Sequence, residues 1–182
     1  MRIDGAVLDA AAELLHEVGY ADLTVAAVAD RAGTSRPAVY RRWPTLAHLV
    51  HEAAFRESVI SESSRTGVLA DDVRELVRMT AELLTTPMAR LAVPGLLAEA
   101  STDPTLHARL LERFASAGWS GFDDYLRAAA GAGEVRDGVE AVTVIEIVIG
   151  AALVAMLVRG PDGLTGDWVD QTTAVVLGGI RA

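Results

Sequence analysis

Between Val139 and Val158 the chain is apolar on every side of a helix, and no other stretch restricts the fold so tightly. A helix without a polar face must be covered all round. A membrane could cover it, but Glu140 and Glu146 interrupt the run. The longest charge-free piece, Ile147 to Val158, is twelve residues, short for a span and typical of a buried helix. A chain of 182 residues has few helices to spare for cover, so a second subunit is the simplest answer. Gly150, Ala151, Ala152 and Ala155 permit close helix approach. With Val144 and Val148, and with Trp168, Thr172, Val175 and Val176 of the last helix, they form the expected face of a four-helix interface in a homodimer. The competing reading is the central core helix of a monomer.

The rest of the chain carries the helical period as well, with no strand alternation, internal repeat or low-complexity tract. The expected fold is all-α, with nine helices. Helix 1 runs from Ile3 to Val18 and ends at Gly19. Thr24 caps a short helix to Ala32, Gly33 turns the chain, and Ser35 caps a third helix to Arg42 with Pro37 in its first turn. Thr45 caps a fourth helix reaching Arg65. Ala70–Thr86, Pro87–Ser101 with a kink at Pro94–Gly95, Asp103–Ala130, Val139–Arg159 and Thr165–Ile180 follow. The division expected is a helix-turn-helix domain over residues 1–50 and an effector-binding and dimerisation domain over residues 51–182.

Composition narrows the chemistry. Without cysteine there is no disulfide framework, thiolate zinc site or iron–sulfur cluster, which fits a reducing, cytoplasmic setting. The segment before helix 1 has no apolar core of a secretory signal. The formal net charge of −9 argues at first against nucleic acid, but the charge is unevenly spread. From Arg31 to Arg56 there are five arginines (31, 36, 41, 42, 56) against one acid, Glu52, a balance of +4. A small basic segment on an acidic body points to two separate tasks.

Two short helices joined by a glycine turn form a helix-turn-helix, whose second helix enters a major groove. Val25, Val28, Ala29, Ala32 and Val39 can face helix 1 as a small core. The outward side of the third helix is left for DNA. Arg36 can read guanine or clamp a phosphate, and Pro37 and Ala38 offer apolar surface to a thymine methyl. The hydroxyls of Thr24, Thr34 and Ser35 and the phenol of Tyr40 suit phosphate, and Arg41 and Arg42 add charge. Trp43 either touches the DNA backbone or packs between helices.

Gly19–Tyr20, Thr24–Val25, Ala32–Gly33–Thr34–Ser35 and Val39–Tyr40–Arg41–Arg42–Trp43–Pro44 together resemble the N-terminal signature of TetR/AcrR-family transcriptional regulators. The match is close over Ile3 to Phe55. Leu97–Ala98–Glu99–Ala100 followed by Asp103–Pro104 more loosely resembles the C-terminal domain of one subgroup. The resemblance implies a homodimer with an N-terminal DNA-binding domain and a helical C-terminal domain that binds an effector. Two departures weaken the phosphate contacts. Leu46 stands where the family often has Lys or Arg, and only Arg2 precedes helix 1.

The expected function is a cytoplasmic repressor. It would leave a palindromic double-stranded DNA operator when a small apolar or amphipathic effector binds, with helix 4 as the lever. The alternative is a dimeric helical small-molecule-binding protein without DNA function. Effector candidates are Met79, Leu83, Met88, Leu91, Leu96, Trp119, Phe122, Tyr125 and Met156, with Glu99 or Glu146 favouring a cationic or hydroxyl-bearing ligand. His48, His51 and Glu52 lack the order and third ligand of a metal site. No nucleophile elbow, P-loop or dinucleotide fingerprint occurs, so no enzyme, cofactor or metal is expected, and no membrane partner.

Overall fold

The computed structural model describes residues 2–56, 66–116 and 121–182. Among them are ten α-helices: α1 Arg2–Asp22, α2 Val25–Arg31, α3 Arg36–Tyr40, α4 Leu46–Ala54, α5 Leu69–Thr85, α6 Pro87–Ala100, α7 Pro104–Ser116, α8 Phe122–Gly131, α9 Ala141–Arg159 and α10 Gly166–Ile180. A 3-10 turn, Pro161–Gly163, separates the last two. The described residues contain no strand, only one isolated bridge between Val135 and Arg181.

Two sequence expectations change, and a third falls largely outside the described residues. The long helix expected over Asp103–Ala130 is two helices, α7 and α8, because Gly121 takes a left-handed conformation (φ 77°) before Phe122. Gly19 does not end α1. It takes φ 76°, ψ 175° inside it, and helical turns resume as far as Asp22. The described part of α4 ends at Ala54, with Phe55 as its C-cap, and the expected extension to Arg65 enters residues 57–65, outside the described ones.

The chain forms two compact units, residues 1–59 with 86–114, and residues 60–85 with 115–182. In the first, α1 packs on α2, α4 and α6, and α4 packs on α6. Leu15, Val28, Ala29, Val39, Leu49 and Leu96 make its dry centre. Tyr20 closes it from the side. Its phenol donates to Glu99 Oε1 of α6 at 2.6 Å. A Cβ on Gly95 would lie 2.3 Å from the Tyr20 ring. Burial, and then the Glu99 carboxylate, push the Tyr20 phenol above its ordinary range, so it stays a donor.

Gly95→Ala is therefore an informative substitution. Alanine in place of a mid-helix glycine ordinarily gains about 0.5–1 kcal/mol. Here the ring must move off a tethered position, and overpacking costs about 1–3 kcal/mol. We expect net destabilisation, read as a lower urea midpoint. Gly95→Ala with Tyr20→Leu should recover part of it.

In the second unit α5 packs on α9 and α10, and α8 on α9. Asp72, buried in the first turn of α5, accepts from the Thr66 amide and hydroxyl and the Gly67 amide. It ties down the start of the helix. The neighbouring Asp71 is exposed and takes no part in this. Thr165 caps α10 through the Trp168 amide.

Candidate nucleic-acid interface

The turn between α2 and α3 is built locally. Gly33 takes φ 62°, its amide bonds Asp30 O at 3.2 Å, and the Thr34 amide bonds Ala29 O at 2.9 Å. This is a Schellman termination, which needs glycine where the backbone turns left-handed. Thr24 starts α2 by accepting from the Ala27 amide at 3.1 Å. Ser35 holds the N-cap position of α3 but makes no capping bond, so its exposed hydroxyl remains uncommitted.

Val39 alone of the α3 residues is buried. Ser35, Arg36, Pro37, Tyr40, Arg41 and Arg42 are exposed, as is Thr24, while Thr34 and Ala38 are half-buried. Trp43 must be withdrawn from the expected DNA contacts. It is 3 % exposed and its indole N–H donates to Glu52 Oε2 at 2.7 Å. A Trp next to a proline turn can hide its ring only by pairing its N–H, and Glu52 supplies that acceptor.

The +4 balance of the sequence is offset in space. Arg31 pairs bidentately with Glu17, both contacts at 2.9 Å, and reaches Glu13 at 3.4 Å. The Arg31 guanidinium holds the Glu17 carboxyl below its usual range. Arg42 pairs with Asp4 at 2.7 Å and Arg56 with Asp9 at 2.5 Å. The side chains of Arg36 and Arg41 make no ion pair or hydrogen bond among the described residues. Two guanidiniums without side-chain partners among the described residues, and a half-exposed tyrosine, thus stand on one short helix and its C-cap, with the uncommitted hydroxyl of Ser35 at its start.

Both nitrogens of the buried His48 are engaged. Thr105 donates to Asp103 Oδ1 at 2.7 Å, so its oxygen accepts from His48 Nε2 at 3.2 Å. His48 Nδ1 then accepts from Thr45 at 2.9 Å. The ring is a neutral bridge from the cap of α4 to the start of α7. Among the described residues no group of three or more His, Asp or Glu could hold a metal ion.

Burial pushes the His48 pKa down, and Asp103 and Glu99 only partly oppose it. The unfolded chain therefore binds the proton first, near the ordinary value of 6.5. His48 should support stability fully above about pH 6.5 and lose that support as pH falls toward its folded pKa. The slope is at most about 1.4 kcal/mol per pH unit. Urea titrations across this range should show it, and His48→Gln should flatten it.

The expected interface and effector residues are dispersed. Val144, Val148, Ala152, Ala155, Trp168 and Val176 are buried within the single chain. The apolar surface left by α9 is another stripe: Ile147, Val154, Leu157 and Val158 are exposed, with half-buried Gly150 and Ala151 between them. Val175 is exposed on α10, and Thr172 is half-buried. By length and composition α9 could cross a membrane, yet its other face lies against α5, α8 and α10.

Of the effector candidates, Met88, Leu91 and Leu96 lie in the first unit, and Met79, Leu83, Phe122, Tyr125 and Met156 in the second. Leu96, Phe122 and Met156 are buried, and Trp119 lies outside the described residues. A cavity of about 470 Å³ opens instead between the start of α9 and the end of α10, against Thr143, Ile147, Val175 and Gly179. None of the candidates lines it. Glu99 is occupied by Tyr20, and Glu146 is exposed.

A three-helix head with an outward, cationic third helix, attached to further amphipathic and apolar helices, defines the class of helix-turn-helix DNA-binding regulators. The comparisons agree. Residues 7–53 match the model of bacterial regulatory proteins of the tetR family, and residues 64–176 match the tetracyclin repressor-like C-terminal domain. The chain belongs to the TetR family of transcriptional regulators, whose members are DNA-binding proteins and not enzymes.

An uncharacterised HTH-type transcriptional regulator of Mycobacterium tuberculosis H37Rv is 40 % identical over 105 residues, 56 % of this chain and 50 % of that protein. The match thus spans about half the length of that relative. The DNA-binding transcriptional repressor TetR of Mycobacteroides abscessus is 27 % identical over 181 residues, 94 % of this chain and 92 % of that one. In fold, the chain resembles a TetR transcription regulator of Haloarcula marismortui, with TM-score 0.71 and 20 % identity over 99 % of this chain and 98 % of that one. It also resembles SmeT in its triclosan complex, with TM-score 0.67 and 20 % identity over 100 % of this chain and 93 % of that one.

Proposed function

We propose that the protein is a cytoplasmic, homodimeric repressor released from a palindromic operator by a small apolar or amphipathic molecule. The observation that carries the DNA-binding part is the outward face of α3, where Arg36 and Arg41 stand unpaired beside Tyr40. A two-fold dimer would set two such helices about 34–36 Å apart, one in each of two successive major grooves. Support for the dimer is the exposed stripe of α9 with Val175 of α10, far more apolar surface than a solvated helix face carries. Support for repression is the relative in Mycobacteroides abscessus, matched along almost its whole length. Support for an apolar effector is SmeT, a similar fold described with triclosan bound.

Release needs an effector that binds one conformation of the protein better than the DNA-bound one. The test is fluorescence anisotropy of the protein on DNA from upstream of its own gene, with a scrambled duplex as competitor. Saturable binding that resists the competitor, and dissociation on adding an apolar ligand, support the reading. Ligand binding with no DNA binding at low salt would leave a dimeric small-molecule-binding protein in its place.

A further inference from the structure

We propose that carboxylates of α1, Asp4 foremost, limit the phosphate affinity and salt dependence of the reading head by competing with DNA phosphates for its arginines. This rests on the DNA-binding role proposed for α3. Within the first unit Asp4 holds Arg42, Asp9 holds Arg56, and Glu13 and Glu17 hold Arg31. All these arginines keep at least a third of their side chains exposed, so solvent and DNA can reach them. Arg42 follows α3 directly after its C-cap, Arg41, and is the paired arginine closest in sequence to the reading helix.

Affinity for phosphate comes from counterions released when a cation of the protein replaces them. A guanidinium already on a carboxylate cannot supply that gain. If it stays on Asp4, it releases nothing from DNA. If it moves to a phosphate, it releases one counterion there and Asp4 takes up another from solution. Either way the net release from Arg42 is close to zero. The same holds for Arg31 and Arg56, leaving Arg36 and Arg41 as full contributors among the described arginines of α2, α3 and their flanks.

Non-specific binding consists almost wholly of the phosphate contribution, whereas operator binding adds contacts to base edges. Internal carboxylates therefore remove a similar free energy from both modes, and random-sequence binding, with no base contacts to add, becomes negligible first. They let an arginine-rich head avoid indiscriminate DNA.

Anisotropy titrations of the full chain on a random-sequence duplex, between about 50 and 200 mM salt, test this. Asp4→Asn should bind the random duplex roughly tenfold tighter at low salt. The slope of log K against log salt should steepen by about 0.9 per subunit. Asp4→Glu should keep the wild-type slope. Asp4→Asn with Arg42→Gln should return to it. Asp22→Asn makes the same change in net charge on α1 at a residue holding no arginine, and should leave the slope alone. An unchanged slope in Asp4→Asn, or a double variant that stays steep, overturns the proposal. A wild-type protein that binds neither duplex at low salt overturns the DNA-binding role itself, a distinct result.

Discussion

Arg36→Ala combined with Tyr40→Ala should abolish measurable operator binding while leaving the fold intact. A bidentate arginine–guanine contact discriminates by about 1–3 kcal/mol. A two-fold dimer loses it twice, so about 2–6 kcal/mol disappears from Arg36 alone, roughly 30-fold to more than 10⁴-fold in Kd. Loss of the Tyr40 phenol from phosphate adds to that. Neither side chain is buried, and the Arg36 side chain has no partner among the described residues. Surface changes of this kind usually alter stability by less than about 0.5 kcal/mol. Trp43→Ala is the instructive contrast. It empties a buried site and strands Glu52, with an expected stability loss of about 3–5 kcal/mol. If the double variant binds the upstream DNA as well as wild type, α3 is not the reading helix. The circular dichroism spectrum and urea midpoint should match wild type in the double variant and differ in Trp43→Ala.

What could be read from the sequence divides by the range of the forces involved. Local rules located the head: the Thr24 cap, the left-handed Gly33, the tolerated Pro37 and the single inward Val39 of α3 need only their neighbours in the chain. Tertiary facts were not legible. The charge balance counted Arg31, Arg42 and Arg56 as free because the acids that bind them sit up to 47 residues away, on α1. Trp43 beside Pro44 gave no sign of the Glu52 acceptor that lets its ring turn inward.

The same limit hides from the sequence which face of α9 is outward. A helix apolar all round gives no angular signal, so Val144 and Ile147 were indistinguishable. Only the packing of α5 and α10 decides that Val144 is inside and Ile147 outside. Gly95 carries no sequence mark of the Tyr20 ring lying against it from 75 positions upstream in the chain.

The outward stripe of α9 carries the second large prediction. Val154→Glu with Leu157→Glu should convert a two-chain particle into a single chain of 19.2 kDa. Val154 is 60 % and Leu157 63 % exposed, so neither substitution disturbs the interior of the chain that carries it. Each aliphatic side chain fully covered in an interface contributes about 1.5–3 kcal/mol, and two-fold symmetry counts every one twice. Removing four such groups and placing four carboxylates against apolar surface outweighs the stabilisation expected from the remaining Ile147, Val158 and Val175. Sedimentation equilibrium reads the mass directly. DNA binding supplies an independent check, since a lone head contacts one half-site and loses the gain from simultaneous engagement of two. The control is Val148→Ala on the inner face of the same helix, a change of the same sequence region at a fully buried site. It should lower the unfolding midpoint and leave the mass at two chains. Should the outer pair lower the midpoint with no change of mass, the stripe faces the interior of its own chain and a second subunit is not its cover.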